Sequence, residues 1–523
     1  MKTERIGCFI VRLVAVAGVL FAMGLLAASV AVMIPAWTGT FSYGFVAKPT
    51  FSGMFMYGMS ILAVWVVFEC LYRKYACFSC RAEMFGLALF CLLVHVVFVE
   101  LLPAMGQIPG AMTYDPLQVL RSMESGKICF FHDARNQGWC NYEIVMSMLA
   151  TLFNGGQKLG ELFQATCCVA ALVPLFCIAE QTAGRRMARF TVLVMGLSPG
   201  VVMYSTVLTS EFLSAALMLY ASFFFLGAMQ ERRRSSDVTL MLVLSGAFLG
   251  LSDLFKVIAV VFLAAAAVFV VVGVLRSGNR RFFLRAALVA LVFYPSYRLT
   301  RHVGQHALLE LAEQRQTASP SGSAFAVILY ELALGLNVEN EGFYSGKIAR
   351  KFLSFTPEQQ KSYVADMIRK DWKRYPMLMV RKFRNIHGSN NYHHGGVSTF
   401  RNAFKGKDGQ RQSPRWIIPL ADNGTMFFKL LFLFSCIGLA LSCTRDFDFG
   451  APGLLALATV LTFAVIEQLI EGHGRYKTAI YPFYFMTLPY MCVWFEKDNP
   501  VYVRLARWVS VLALKLKRRG SEC

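Results

Sequence analysis

The sequence predicts an all-α polytopic membrane protein with about twelve transmembrane helices, and three observations carry that prediction. The 523 residues are 56% hydrophobic and only 16% charged, at a mean hydropathy of +0.51, which is more apolar surface than a water-soluble chain of this size buries. Apolar windows long enough to span a bilayer as helices, roughly 20 residues each, recur along the chain. The short loops between them differ sharply in Lys and Arg content, as membrane orientation requires.

Taken in order, the windows fall at about 8–33, 55–71, 84–102, 160–181, 187–206, 209–227, 238–253, 257–275, 282–299, 425–442, 451–470 and 478–495. The first follows Met1-Lys-Thr-Glu-Arg5 but runs too long for a secretory signal, so it reads as a retained helix with its amino end inside. Loops carrying Arg73-Lys74 and Arg81, Arg185-Arg186, Arg232-Arg233-Arg234 and Arg280-Arg281 then fall inside, and the loops around Thr209 and Lys256 fall outside, nearly bare of charge. Both termini are expected in the cytoplasm of a cell (plasma or inner) membrane protein. The formal charge of +21 is spread along the chain rather than stacked on one face, so it reads as orientation signal and argues against nucleic acid as a partner.

Two segments interrupt the alternation. Residues 103–159 hold an acidic helical stretch from Thr113 to Gly126 and an apolar run from Asn141 to Phe153 too short to span; both read as helices along the outer surface. Residues 300–424 form a polar stretch long enough to be a small extracytoplasmic domain. The expected division is therefore 1–299 as membrane region with its outer loop helices, 300–424 outside, 425–497 as carboxy-terminal membrane helices, and 498–523 as a basic amphipathic cytoplasmic tail.

Of the 14 cysteines, many lie in apolar runs and read as small hydrophobes. Cys77-Phe-Ser-Cys80 is a lone CxxC lacking a second pair of ligands, and Cys129 and Cys140 form a candidate disulfide pair in one outer loop. His387, His393 and His394 have no acidic or cysteine partner arranged with them, and read as part of a mobile loop.

Charged groups near a membrane are costly and point to function. On the outer side they are Asp115, Glu211 after Ser210, Asp253 with Lys256, and Glu471-Gly-His-Gly-Arg475-Tyr476-Lys477. Moving a sugar from a phosphate leaving group to a hydroxyl or amine needs a base at the acceptor and positive charge on the departing phosphate. Asp115 suits the base. Lys256, Arg475 and Lys477 suit the phosphate, and Glu211, Asp253, Glu471 and Tyr476 suit supporting roles.

These parts in this order resemble the GT-C membrane glycosyltransferases: the acidic residue in the first large outer loop, the Ser-Glu at an outer mouth, and Glu471-x-x-x-Arg475-Tyr476 followed by Tyr481-Pro482. The likeness runs over about 110–490 and is greatest to bacterial proteins related to the dolichyl-phosphate-mannose protein mannosyltransferases and the lipid A aminoarabinose transferase. Tyr330-Glu-Leu-Ala-Leu-Gly-Leu-Asn337 and Glu341-Gly342-Phe-Tyr344 add to it. The resemblance implies a polyprenyl-phosphate-linked sugar donor, an acceptor glycan, lipid or protein, and transfer at the outer face with Asp115 as the loop carboxylate. Many relatives carry two adjacent acidic residues there and this chain has Asp115-Pro116, so no cofactor is assigned and a divalent metal stays open. Two rival readings are a flippase for lipid-linked glycans, and a polysaccharide polymerase or ligase working through outer arginines such as Arg369-Lys370 and Arg381-Lys382.

Overall fold

The computed structural model describes residues 2–37, 50–74, 79–104, 114–125, 137–205, 208–230, 234–277, 280–314, 324–342, 345–388, 417–442, 447–470 and 479–495. Every regular element among them is helical. The membrane-length helices are α1 (Lys2–Trp37), α2 (Phe51–Lys74), α3 (Cys80–Ala104), α6 (Gln157–Ala170) running into α7 (Leu172–Gly196), α9 (Glu211–Met229), α10 (Ser235–Phe255), α11 (Ala259–Ser277), α12 (Arg280–Leu288) running into α13 (Tyr294–Gln314), α18 (Ile417–Ser442) and α19 (Phe447–Leu469). Between them sit α4 (Tyr114–Ser125), α5 (Gln137–Phe153), the short α8 (Pro199–Tyr204), and α14 (Ala324–Gly335), α15 (Gly346–Leu353), α16 (Pro357–Asp371) and α17 (Tyr375–Phe383) of the 300–424 segment.

Ten stretches among the described residues are long and apolar enough to cross a membrane. The difference from twelve has two physical sources. Gln157–Gly196 is one apolar stretch of 40 residues, but its helix breaks at Ala183 and at Gly184, whose φ of +80° suits glycine alone. The break falls beside Arg185-Arg186, where the charge pattern expects a cytoplasmic turn. At the other end of the chain, 478–495 is not one helix. Pro482 and Pro489 withhold backbone donors, so the chain folds as α20 (Tyr481–Phe485) and a 3-10 turn over Leu488–Phe495, buried against Phe428 and Phe432.

The main core packs the long helices on α7, α9 and α11. Polar side chains gather at the two helix ends. At one end Arg189 of α7 bridges Glu69 of α2 at 2.7 Å and Glu83 of α3 at 2.9 Å. The charge pattern expects this end inside. The opposite end, the outer one by the same expectation, holds the start of α9, the end of α10 and the start of α11.

Close helix packing sets that outer end. Gly246 and Gly250, four apart on α10, face the backbone of the helix through α13; a Cβ on Gly250 would lie 2.8 Å from the Tyr297 carbonyl, and one on Gly246 would meet the Phe293 carbonyl. Small residues at this spacing let two membrane helices touch backbone to backbone. A π-helical turn at Val289–Phe293 lies beside the contact. On its other side α10 is bound to α9 by Ser214 and Ser252, whose hydroxyls lie 2.8 Å apart and each donate to the other's carbonyl, at 3.1 and 2.9 Å.

Candidate active site at the outer end

Two ion pairs form where α9, α10, α11 and α13 converge. Glu211 opens α9, where the positive helix end favours a carboxylate, and is fully buried. Its Oε1 lies 3.3 Å from the Lys256 Nζ. Lys256 directly follows α10, so its stem emerges beside the α9 start. Asp253, three residues earlier, takes different partners: its Oδ1 accepts from the Ala259 amide at 3.0 Å, which caps α11, and its Oδ2 accepts from the Tyr297 hydroxyl at 3.0 Å and lies 3.0 Å from the Arg301 Nε.

Arg301 belongs to sequence assigned by hydropathy to the outer segment beginning at residue 300. The helix instead continues to Gln314, which places Tyr297, Arg301 and Gln305 on one face against α10 and α5. The period of the apolar face continuing past residue 299 was the signal that could have found it.

The carboxylates and cations are not equally covered. The Glu211 and Asp253 side chains are 0% and 2% exposed, whereas Lys256 and Arg301 are 16% and 38% exposed. Each cation thus reaches from an accessible position to a buried anion. An accessible cation held in place by a buried carboxylate is a rigid receptor for a phosphate.

The helix carrying Asp115 is tied to the same place. α4 has the helical span its sequence predicts, and Val119 and Met123 pack with Tyr142, Met146, Leu208, Leu254 and Phe255 in one apolar cluster. Leu208 lies three residues before Glu211, and Leu254 and Phe255 connect Asp253 to Lys256. Asp115 sits one turn before Val119, about 6 Å along the helix axis. The Ser122 hydroxyl donates to Glu143 of α5, and the Asn141 amide donates to the Leu254 carbonyl at 2.6 Å and to Gln305 at 3.2 Å. The Tyr142 hydroxyl donates to Gln164 of α6 at 2.9 Å, and burial holds its phenol well above the ordinary value, so it stays neutral. α5 is therefore clasped between α4, α10 and α13, its Asn141, Tyr142 and Glu143 facing inward to these partners.

The structure brings Glu211, Asp253 and Lys256 together and positions the helix of Asp115 beside them. Glu471, Arg475, Tyr476 and Lys477 lie outside the described residues, as do Cys129 and the side chains of Asp115 and Cys140. His387 departs from its expected place in a mobile loop. It is buried on a π-helical turn, 3.4 Å from Glu467, and its carbonyl accepts from Lys429 at 2.7 Å. Lys382, weighed as a catalytic cation in one rival reading, is fully buried, and its ammonium satisfies the carbonyls of Gly335, Gln468 and Ile470. Among the described residues no three metal-ligating side chains converge.

This geometry lies largely inside the stretch for which a relative is found. Residues 142–297 match the dolichyl-phosphate-mannose-protein mannosyltransferase family. The GT-C likeness is borne out there. The GT-C-like stretch begins in α5 and ends at Tyr297, so it contains Glu211, Asp253 and Lys256 but neither Asp115 nor Arg301. No curated protein matches the chain. Solved structures with a similar helical arrangement include the oligosaccharyltransferase of Archaeoglobus fulgidus, solved with Zn and sulfate, at 15% identity over 81% of this chain and 51% of that one, TM-score 0.40. ArnT from Cupriavidus metallidurans, bound to undecaprenyl phosphate, is 15% identical over 78% of this chain and 77% of its own, TM-score 0.31. This chain spans about half the length of the archaeal enzyme.

Proposed function

We propose that this chain is a membrane glycosyltransferase that moves a sugar from a polyprenyl-phosphate donor to an acceptor glycan, lipid or protein at the outer face. The observation that carries the reading is the shared apolar cluster: it holds the Asp115 helix against the residues that flank Glu211 and Lys256. A base and a phosphate receptor, over a hundred residues apart in sequence, are thereby mounted on one small piece of core.

In the proposed step the acceptor oxygen or nitrogen attacks the anomeric carbon. The bond from that carbon to the phosphate oxygen breaks, polyprenyl phosphate departs with the electron pair, and the acceptor proton passes to the Asp115 carboxylate. Lys256, held by Glu211, and Arg301, held by Asp253, supply positive charge for the leaving phosphate. Arg475 and Lys477 complete this role on the strength of the sequence pattern, with Glu471 and Tyr476 supporting. The likeness of residues 142–297 to the mannosyltransferase family supports the reaction class. Glu211, Asp253 and Lys256 lie at helix ends rather than at mid-helix, which favours transfer over translocation.

The test is Asp115→Asn, assayed in membranes supplied with a polyprenyl-phosphate sugar. Transfer should fall about 10²–10⁴-fold at unchanged protein level. Undiminished transfer by that variant would remove the base from the mechanism.

A further inference from the structure

The segment from Asp366 to Arg384 combines two features that no step of the transfer uses. It carries seven Lys and Arg against two Asp. It also exposes large apolar side chains outside every candidate span: Ile368, Trp372 at 61%, Met377 and Val380 at 63%. The elbow between α16 and α17, a 3-10 turn over Trp372–Arg374, joins them.

The depth of this elbow is set by its far end. On α17, Leu378 and Lys382 form the buried face, and Met377, Val380 and Arg381 form the exposed one. The Lys382 ammonium is fastened to the carbonyls of Gln468 and Ile470, on either side of Leu469, where the α19 span ends. Val380 is two residues away and Met377 five, so they lie within about 8 Å of Lys382 along the helix. Exposed valine and methionine beside a span end suit a headgroup region, where apolar groups gain by burial and basic groups meet lipid phosphate.

The charges agree with that placement. Arg369, Arg374 and Arg381 lie 3.7, 3.1 and 3.6 Å from Asp366, Asp371 and Glu341, which orients them without neutralising the segment. Lys370 and Lys373 add to the excess, and the Lys373 ammonium stands 5.8 Å from the Trp372 ring. A tryptophan flanked by cations at a membrane boundary is an interfacial anchor.

We propose that the α16–α17 elbow seats the extracytoplasmic helices on the outer leaflet, with Trp372, Met377 and Val380 in the headgroup boundary and Lys370, Lys373 and Arg374 on anionic phospholipid phosphates. This contact is independent of the sugar-transfer reading and holds whichever reaction the outer end performs.

The experiment uses the full chain in nanodiscs of zwitterionic lipid, with and without anionic phospholipid, and lipids brominated near the headgroup as fluorescence quenchers. Subtracting the emission of Trp372→Phe isolates one of seven tryptophans. Trp372 emission should be quenched by the brominated lipid, more strongly when anionic lipid is present. Lys370→Gln and Lys373→Gln should each lower the docked-to-undocked ratio roughly fivefold in anionic discs. Two results overturn the proposal: Trp372 emission quenched by aqueous iodide but untouched by brominated lipid in both disc types, or lipid quenching with no dependence on anionic lipid. Thermal unfolding identical among the variants confirms that both readouts come from folded protein.

Discussion

The two ends of the helix bundle both bury carboxylates, yet they bury them differently. At the Arg189 end one guanidinium joins two acids: Arg189 is 10% exposed and Glu69 and Glu83 are 8% and 7%, while the half-exposed Arg185 stands farther off, 3.9 Å from Glu83. At the outer end each acid has its own cation, and the cations Lys256 and Arg301 stay open to their surroundings. A buried charge network by itself therefore does not mark a site. A phosphate can meet only a cation it can reach, and Lys256 and Arg301, which hold their buried carboxylates at 3.3 and 3.0 Å, are accessible whereas Arg189 is not.

The sharpest way to break this contrast is at the Arg189 end. Arg189→Met leaves Glu69 and Glu83 buried together with only the half-exposed Arg185 near Glu83, which should cost about 3–5 kcal/mol. The loss should appear in thermal unfolding of the purified protein, while transfer per folded molecule stays as in the parent. A drop in specific activity as large as the loss of stability would show that the Arg189 triad is not merely a brace.

The open end should answer in the opposite currency. The double variant Glu211→Gln with Lys256→Gln removes both charges together and so strands neither. It should keep the melting temperature near the parent's and raise the donor KM roughly 10–100-fold, the worth of one charged hydrogen bond to phosphate, with a smaller change in kcat. An unchanged donor KM would move the phosphate contact away from Lys256.

A third variant probes what holds the open end open. Gly250→Leu forces a side chain against the Tyr297 carbonyl, parting α10 from α13 and carrying Arg301 away from Asp253. Overpacking of this kind should cost about 1–3 kcal/mol and lower donor use alongside stability. Gly250→Ala should fall between this variant and the parent in both measurements, and a fully stable, fully active Gly250→Leu would refute the backbone contact. The smallest effect expected is Tyr297→Phe, which removes one of the hydrogen bonds to Asp253, about 0.5–1.5 kcal/mol by unfolding.

Much of the architecture was legible before any coordinates. The windows at 55–71 and 84–102 lie within helices, and those at 209–227 and 257–275 match helices to within two residues at each end, because a bilayer demands an unbroken apolar run and leaves that run plain in the sequence. The same logic misread 478–495, where composition was right but Pro482 and Pro489 prevent one continuous helix. It also misread His387: the histidine stands in a glycine-rich neighbourhood, and its partner Glu467 is eighty residues later.

Glu211, Asp253 and Lys256 could be named from the sequence because charged groups are rare beside apolar runs. Their pairing could not. Asp253 and Lys256 are neighbours in one turn, yet Asp253 turns to Arg301 and Lys256 to Glu211.

By itself, then, the sequence determined the membrane-spanning class, most of the helix positions and a short set of charged candidates. These follow from one-dimensional properties, hydropathy and charge counted along the chain. The tertiary structure alone decided which anion holds which cation, that Arg301 joins the site, and that the Asp115 helix shares a core with the residues around Lys256. Those choices depend on how closely helices approach, and the approach is set by packing at Gly246, Gly250, Ser214 and Ser252 across residues far apart in the chain.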